Sequence, residues 1–246
     1  MKQILNLASA AAVLLASSAA SAAPVIYFGE NLAPAGGVSG APVTARNSFL
    51  AQLSGVSTES FEGFNQSDKP SSLNFNGSAG AITASFAPSS GFICASNGCS
   101  GSGRYATDGT RYFDVSSTFT ATFSTAVAAF GFYGTDIGDI SGSLTVELLR
   151  ASGNTMLVVP NTINAPNASL LFYGIIDQAN PFTGIRFGNT AAGSDFFGFD
   201  QLTVGDVQQV VPSIPEPATW MMMLMGFGLI GAAMRRKRQN VQVSFG

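Results

Sequence analysis

The acidic residues of this chain that could act together fall in two places. One is ESFEGF at residues 59–64 taken with FFGFDQLTV at 196–204, close to the two ends of the central body. The other is FYGTDIGDISG at 132–142, which sets Asp136 and Asp139 three apart in a glycine-bounded loop. Paired carboxylates can share a cation. Held about 5 Å or about 6.5–9.5 Å apart across a cleft, they can instead hydrolyse a glycosidic bond. The 136–139 loop lacks the ligand density of an EF-hand. Aspartates in such loops more often form turns by bonding their own backbone two residues on, and that is the preferred reading of both.

Histidine is absent from all 246 residues, which removes Ser-His-Asp and Cys-His catalysis and histidine-based zinc sites. No GxSxG, P-loop or dinucleotide fingerprint is present. The single tryptophan, Trp220, lies near the C-terminus, so Tyr27, Tyr105, Tyr112, Tyr133 and Tyr173 alone could stack on a sugar. Residues 23–217 hold 6 basic and 14 acidic side chains, a net charge of −8. Such a surface repels phosphate backbones, so nucleic-acid binding is not expected and divalent cations are the more natural charged partners. These absences favour a protein that is not an enzyme.

Both ends of the chain carry signals rather than core. Lys2, a largely apolar stretch over 4–16 and the small-residue tract SSAASAA form the three parts of a secretory signal peptide. Cleavage is expected after residue 22, through signal peptidase and the secretion machinery. In an exported chain Cys94 and Cys99 are expected to pair as a disulfide, the alternative being free thiols. At the far end Pro215, Glu216 and Pro217 precede 17 uncharged residues at 218–234, then Arg235, Arg236, Lys237 and Arg238. The run gives about 25 Å of helix at ~1.5 Å per residue, a short transmembrane helix with Trp220 at one edge. The basic cluster stops it on the cytoplasmic side by the positive-inside rule.

This ordered triple of Pro-Glu-Pro, apolar helix and basic cluster, at 213–239, resembles the PEP-CTERM sorting signal of Gram-negative bacteria. The resemblance implies recognition by an exosortase-type transpeptidase and removal of the helix at or near Pro215–Pro217. It implies an inner-membrane anchor before processing, then release or delivery to the cell surface, typically beside exopolysaccharide. A short tail, NVQVSFG at 240–246, extends past the point where such chains usually stop.

Between the signals, residues 23–212 read as an all-β body, an antiparallel sandwich or jelly roll. Short runs rich in Phe, Val, Ile and Thr recur at 82–87, 111–116, 118–124, 127–135, 143–151, 155–160, 170–177, 183–188 and 195–204. In TFTATFS, Phe119 and Phe123 alternate with hydroxyl residues, one face apolar and the other polar. Ser152-Gly153-Asn154 and Asp108-Gly109 look like hairpin tips. A short helix or turn is expected over 45–53. The opening FE and closing DQL segments resemble those of carbohydrate-binding jelly rolls, which can contribute to a structural Ca²⁺ site. That resemblance would make Glu62 and Asp200 ligands, while the residues by themselves read equally as turn caps. Three functions follow as alternatives: an exported surface or matrix protein without catalysis, a Ca²⁺-dependent carbohydrate-binding module, or a polysaccharide hydrolase using Glu62, Asp136, Asp139 or Asp200.

Overall fold

The computed structural model describes residues 23–33, 37–87, 91–95, 99, 103–116, 118–139, 141–191, 193, 196–211 and 217–237. The signal-peptide reading at 1–22, Pro215, Glu216, Arg238 and the tail at 240–246 lie outside them. The chain divides into two compact units, Met1–Val210 and Val211–Gly246.

The first unit is built from β1 (Val25–Asn31), α1 (Ala41–Leu50), β2 (Ser57–Glu59), β3 (Ser72–Gly77), β4 (Gly80–Ala87), β5 (Phe92–Ala95) and β6 (Arg111–Ser116). It continues through β7 (Thr120–Val127), β8 (Ala129–Thr135), β9 (Leu144–Leu149), β10 (Thr155–Val158), β11 (Leu170–Ile176), β12 (Phe182–Asn189) and β13 (Phe196–Gly205). Every named pairing is antiparallel. One sheet runs β1-β11-β8-β13-β6-β5, with β2 also on β13; the other runs β10-β9-β12-β7-β4-β3. The expected β-sandwich is thus the fold.

Side-chain alternation decides which face goes inward. β3 and β9 alternate strictly, burying Leu73 and Phe75 in one and Leu144, Val146 and Leu148 in the other. Phe119 and Phe123 are buried while Thr122 and Ser124 face out, as the period of two requires. Rings from both sheets meet in the middle. Phe119 stacks on Phe187 at 4.4 Å, and Phe187 meets Phe132 at 5.5 Å and Phe199 at 5.2 Å. β8 and β11 are buried at all seven positions, because a second apolar cluster covers their other face.

That cover is α1. Phe49, fully buried, seats in a notch where Gly131 of β8 and Gly174 of β11 are direct register partners. A Cβ on Gly131 would come within 2.7 Å of the Phe49 ring, and one on Gly174 within 2.8 Å. The helix starts four residues before the expected 45–53, at Ala41. Gly40 at φ 76° caps it and a proline sits in its first two positions, a residue that begins helices because it needs no N–H partner there.

Asp206 ties the end of β13 to the β3–β4 turn. Its Oδ2 accepts from Ser78 N at 2.7 Å and Ser78 Oγ at 2.8 Å, and its Oδ1 from the amides of Gln208 and Gln209. The Gln209 side chain accepts in return from Asp206 N, a reciprocal capping box. Burial raises the Asp206 pKa, but these hydrogen bonds outweigh it and leave the carboxyl below its ordinary range. A depressed folded pKa gives stability that is present above the unfolded value and lost as pH falls through the folded one. Asp206→Asn is therefore expected to cost about 1–3 kcal/mol at pH 7. The gap from the parent should narrow below about pH 4, as thermal unfolding at the two pH values would register.

The second unit contains α2 (Pro217–Lys237). Its uncharged run of 17 residues is about three short of a standard span. Among the described residues no helix is long and apolar enough to cross a membrane.

Candidate functional site

Pairing of β2 with β13, in register Leu202↔Glu59, sets the start of the body beside its end. Glu62 and Asp200 are thereby brought to one segment, residues 107–111, that leads into β6. Asp200 Oδ2 accepts from Thr107 N (2.7 Å), Thr107 Oγ1 (2.8 Å) and Asp108 N (3.1 Å), and its Oδ1 from Gln201 N. Glu62 Oε1 accepts from Thr110 N (2.7 Å) and Arg111 N (2.5 Å). Between the two sets lies Gly109 at φ 63°, where a Cβ would fall 2.4 Å from the Glu62 carboxyl carbon. Two carboxylates from distant parts of the chain thus hold one turn by its amides. Asp108-Gly109 is not the hairpin tip the sequence suggested. It lies in the long connection between β5 and β6, and the turn is made by Glu62 and Asp200 rather than by cross-strand pairing.

Burial pushes the Asp200 carboxyl up to about 7, against the opposing pull of its bonds from Thr107, Gln201 and Asp108. These partners of Glu62 and Asp200 are all donors, which suits a carboxylate but competes with a cation for the same lone pairs. Among the described residues no group of three or more acidic, Cys or His side chains could hold a metal ion. A Ca²⁺ ion prefers six to eight oxygens, so backbone carbonyls would have to supply most of the shell. Capping accounts for both residues without a metal. The expected result is a melting temperature that neither EDTA nor millimolar Ca²⁺ moves. A tight site held at a hundredfold excess over Kd would instead add about 2.7 kcal/mol, a shift that a melt resolves.

The second constellation is split. Asp136, the residue after β8, is in a left-handed conformation (φ 65°) and is 3% exposed, with its Oδ2 3.8 Å from Arg104 Nη1 and its Oδ1 accepting from Ala168 N. Asp139 is exposed in the loop that follows. The two therefore do not present a common acidic face.

Arg104 also places its Nε 3.1 Å from Asp114 Oδ2, and that oxygen lies 3.5 Å from Cys94 Sγ. Cys94 and Cys99 are joined by a disulfide, as their number and context suggested. Tyr112, on β6 beside this cluster, has its phenol pushed up to about 12, chiefly by burial, with the Asp114 charge adding to the rise. Arg104 and Asp114 carried no signal in the sequence, because neither belongs to a spaced motif and the fold alone brings them together.

A model of the PEP-CTERM protein-sorting motif matches residues 213–238. The chain therefore carries the sorting motif, which marks a protein for export and for processing by exosortase, a membrane transpeptidase. The matched residues all fall in the second unit and say nothing of the sandwich. No curated protein sequence matches the chain.

Among solved structures the chain is similar to the cleaved adhesin domain of Lys-gingipain, at 12% identity and TM-score 0.39, over 61% of this chain and 97% of that one. It is similar also to the C-terminal family 22 carbohydrate-binding module of Clostridium thermocellum Xyn10B, at 13% identity and TM-score 0.36, over 63% and 94%. A third is a DUF4465 family protein from Bacteroides ovatus, at 10% identity and TM-score 0.34, over 61% and 98%. Likeness of this degree carries no functional argument.

Proposed function

We propose that this chain is a cell-surface or extracellular-matrix protein. A signal peptide over 1–22 would export it. The C-terminal segment over 218–234, though short of a standard span, would anchor it at the inner membrane before processing, with Arg235–Arg238 on the cytoplasmic side. An exosortase would then remove that segment near Pro215-Glu216-Pro217. The body, over residues 23–212, is proposed to act without catalysis, in association with exopolysaccharide.

The observation that carries this reading is the sorting motif at 213–238. The absence of catalysis is supported by the state of the carboxylates. Of the four acids a hydrolase could use, Asp136 and Asp200 are no more than 3% exposed and are engaged by the fold, and Glu62 is engaged by the amides of Thr110 and Arg111, so these three are poorly placed to act as a catalytic pair on a polymer.

The test is processing of the full chain in two strains of an exosortase-bearing host, one intact and one lacking the enzyme. A shorter, surface-located product is expected in the intact strain alone. Replacing Pro215, Glu216 and Pro217 together by alanine should leave the full-length form in the membrane fraction. Equal processing in both strains would end the proposal.

A further inference from the structure

A sheet edge is a row of unpaired amides and carbonyls, and natural folds shield theirs. The two sheet paths end in four edge strands, β3, β5, β10 and β1. Two of them are covered. On β3, Asn76 N donates to Ser57 Oγ and Asn76 O accepts from Gln209 Nε2. On β5, Ile93 N donates to Asp68 O and Ile93 O accepts from Ser67 N, both at 2.8 Å. The third, β10, is only four residues long. The fourth, β1, has seven residues, without proline, lysine or bulge, each in register with β11. In an antiparallel ladder alternate residues turn their backbone groups away from the partner strand. Among the described residues, no backbone group of 25–31 has a hydrogen-bond partner beyond β11.

Apolar surface gathers at the same place. Glu30 of β1 accepts from Thr162 N at 3.0 Å, just after β10, while Pro24 and Thr155 line one cavity. The β1 and β10 edges therefore flank the same side of the sandwich. Among the described residues at 23–210, the exposed large apolar side chains are Val25, Ile26, Leu32, Met156, Val158 and Ile163, on these two strands or their flanks, and Phe196 elsewhere. Beside β1 runs an open groove of about 440 Å³, floored by Ile26, Tyr27 and Phe28 and walled by the small residues Ala41, Thr44 and Ser48 of α1.

Charge chooses the occupant. The body carries −8, so two copies repel over most of their surface. β1, β10 and α1 together hold one acid, Glu30, and one base, Arg46, so this is a side on which two copies can meet. We infer that it is a two-fold interface, in which β1 pairs antiparallel with β1 of a second copy and joins two seven-stranded sheets. Side chains alternate between faces, and the two-fold pairing that uses all seven residues centres on Phe28. It sets Phe28 against Phe28, Tyr27 against Gly29 and Ile26 against Glu30 of the second copy, so no like charges are opposed. Such a contact is isologous and closes at two copies. The paired strand is about 24 Å long at ~3.4 Å per residue. With one helix face added, the buried surface is about 1,000 Å² in total, at the small end of specific interfaces, so the dimer has a Kd of about 10 µM. The interface does not depend on what the body binds.

The test is sedimentation equilibrium of the full-length chain in a density-matched detergent, up to about 200 µM, with hydrogen exchange read at residues 25–31. A monomer–dimer equilibrium is expected, in which the β1 amides that face away from β11 exchange about tenfold more slowly in the dimer. Ile26→Glu puts a like charge opposite Glu30 on both sides of the axis and should weaken the dimer about tenfold. Ile26→Lys puts an opposite charge there and should retain it. Ile26 is 38% exposed, so both variants should melt with the parent. If either fails to fold, exchange in the parent decides. A monomer at every concentration, species larger than a dimer, a dimer that leaves the β1 amides unslowed, or one that survives Ile26→Glu would each overturn the interface. Equal loss in the Glu and Lys variants would overturn it too, because the register would be wrong. If the amides slow only when an alternating valine–threonine peptide is added, the edge takes a foreign strand and the proposal fails.

Discussion

Arg104→Met is expected to lower the melting temperature of the sandwich by about 10 °C, corresponding to about 3–5 kcal/mol. The guanidinium serves two carboxylates that water does not reach, with Asp114 1% and Asp136 3% exposed. It also donates to the Phe196 carbonyl at 3.2 Å, linking the segment before β6 to the start of β13. Methionine would keep much of the packing of the stem and remove the charge. Both carboxylates would then be left without their shared cation, in a region too dry to screen them. The loss of one partner from a buried pair costs more than the pair itself contributes, because the remaining charge is stranded.

Two further variants separate charge from geometry. Arg104→Lys keeps the charge but not the planar fork, and should fall between parent and methionine variant. Adding Asp114→Asn to Arg104→Met should recover part of the loss, a coupling that a double-mutant cycle measures. A shift below about 2 °C for Arg104→Met would mean that water reaches the cluster and that neither carboxylate is stranded by the loss of its cation.

Phe187→Ala is expected to cost about 3–5 kcal/mol in urea unfolding, with little change in the slope of the transition. Phe187 is 2% exposed on β12, and its ring meets Phe119 at 4.4 Å, Phe199 at 5.2 Å, Phe132 at 5.5 Å and Phe130 at 6.0 Å. Phe130, Phe132 and Phe199 belong to the opposite sheet, so this one side chain couples the two layers. Alanine would open a cavity walled by four rings, none able to collapse into it without leaving its own contacts. Phe187→Leu retains most of the volume and should cost about 1 kcal/mol. A loss under about 1 kcal/mol for the alanine variant would show that the sheets can close over the gap.

Local pattern made much of the fold legible. TFTATFS announced both the strand β7 and its inward face, since alternation with a period of two is a property of neighbouring residues. The same holds for LLFYGII and AFGFYGT, whose continuous apolar character fits strands covered on both faces. VIYFGEN, STE, SLNFNG and FICA were not read as strands. STE and FICA are too short to show a period. SLNFNG carries Asn and Gly, residues depleted in strands, and forms an edge where only one side must pair.

The candidate site was half visible. Glu62 and Asp200 were singled out, but the amides of residues 107–111 that both carboxylates cap could not be found from spacing. The sorting motif is legible without any fold, because such a signal is contiguous and is read in order. The β class and the apolar faces are legible too, since they follow from near neighbours. Which charges share a dry environment emerges from the folded chain alone: Arg104 with Asp114 and Asp136, and Arg150 with Asp177. Those partners are 10 to 32 positions apart, and what selects them is the strand order of the sheets, a long-range outcome of packing that no short stretch encodes.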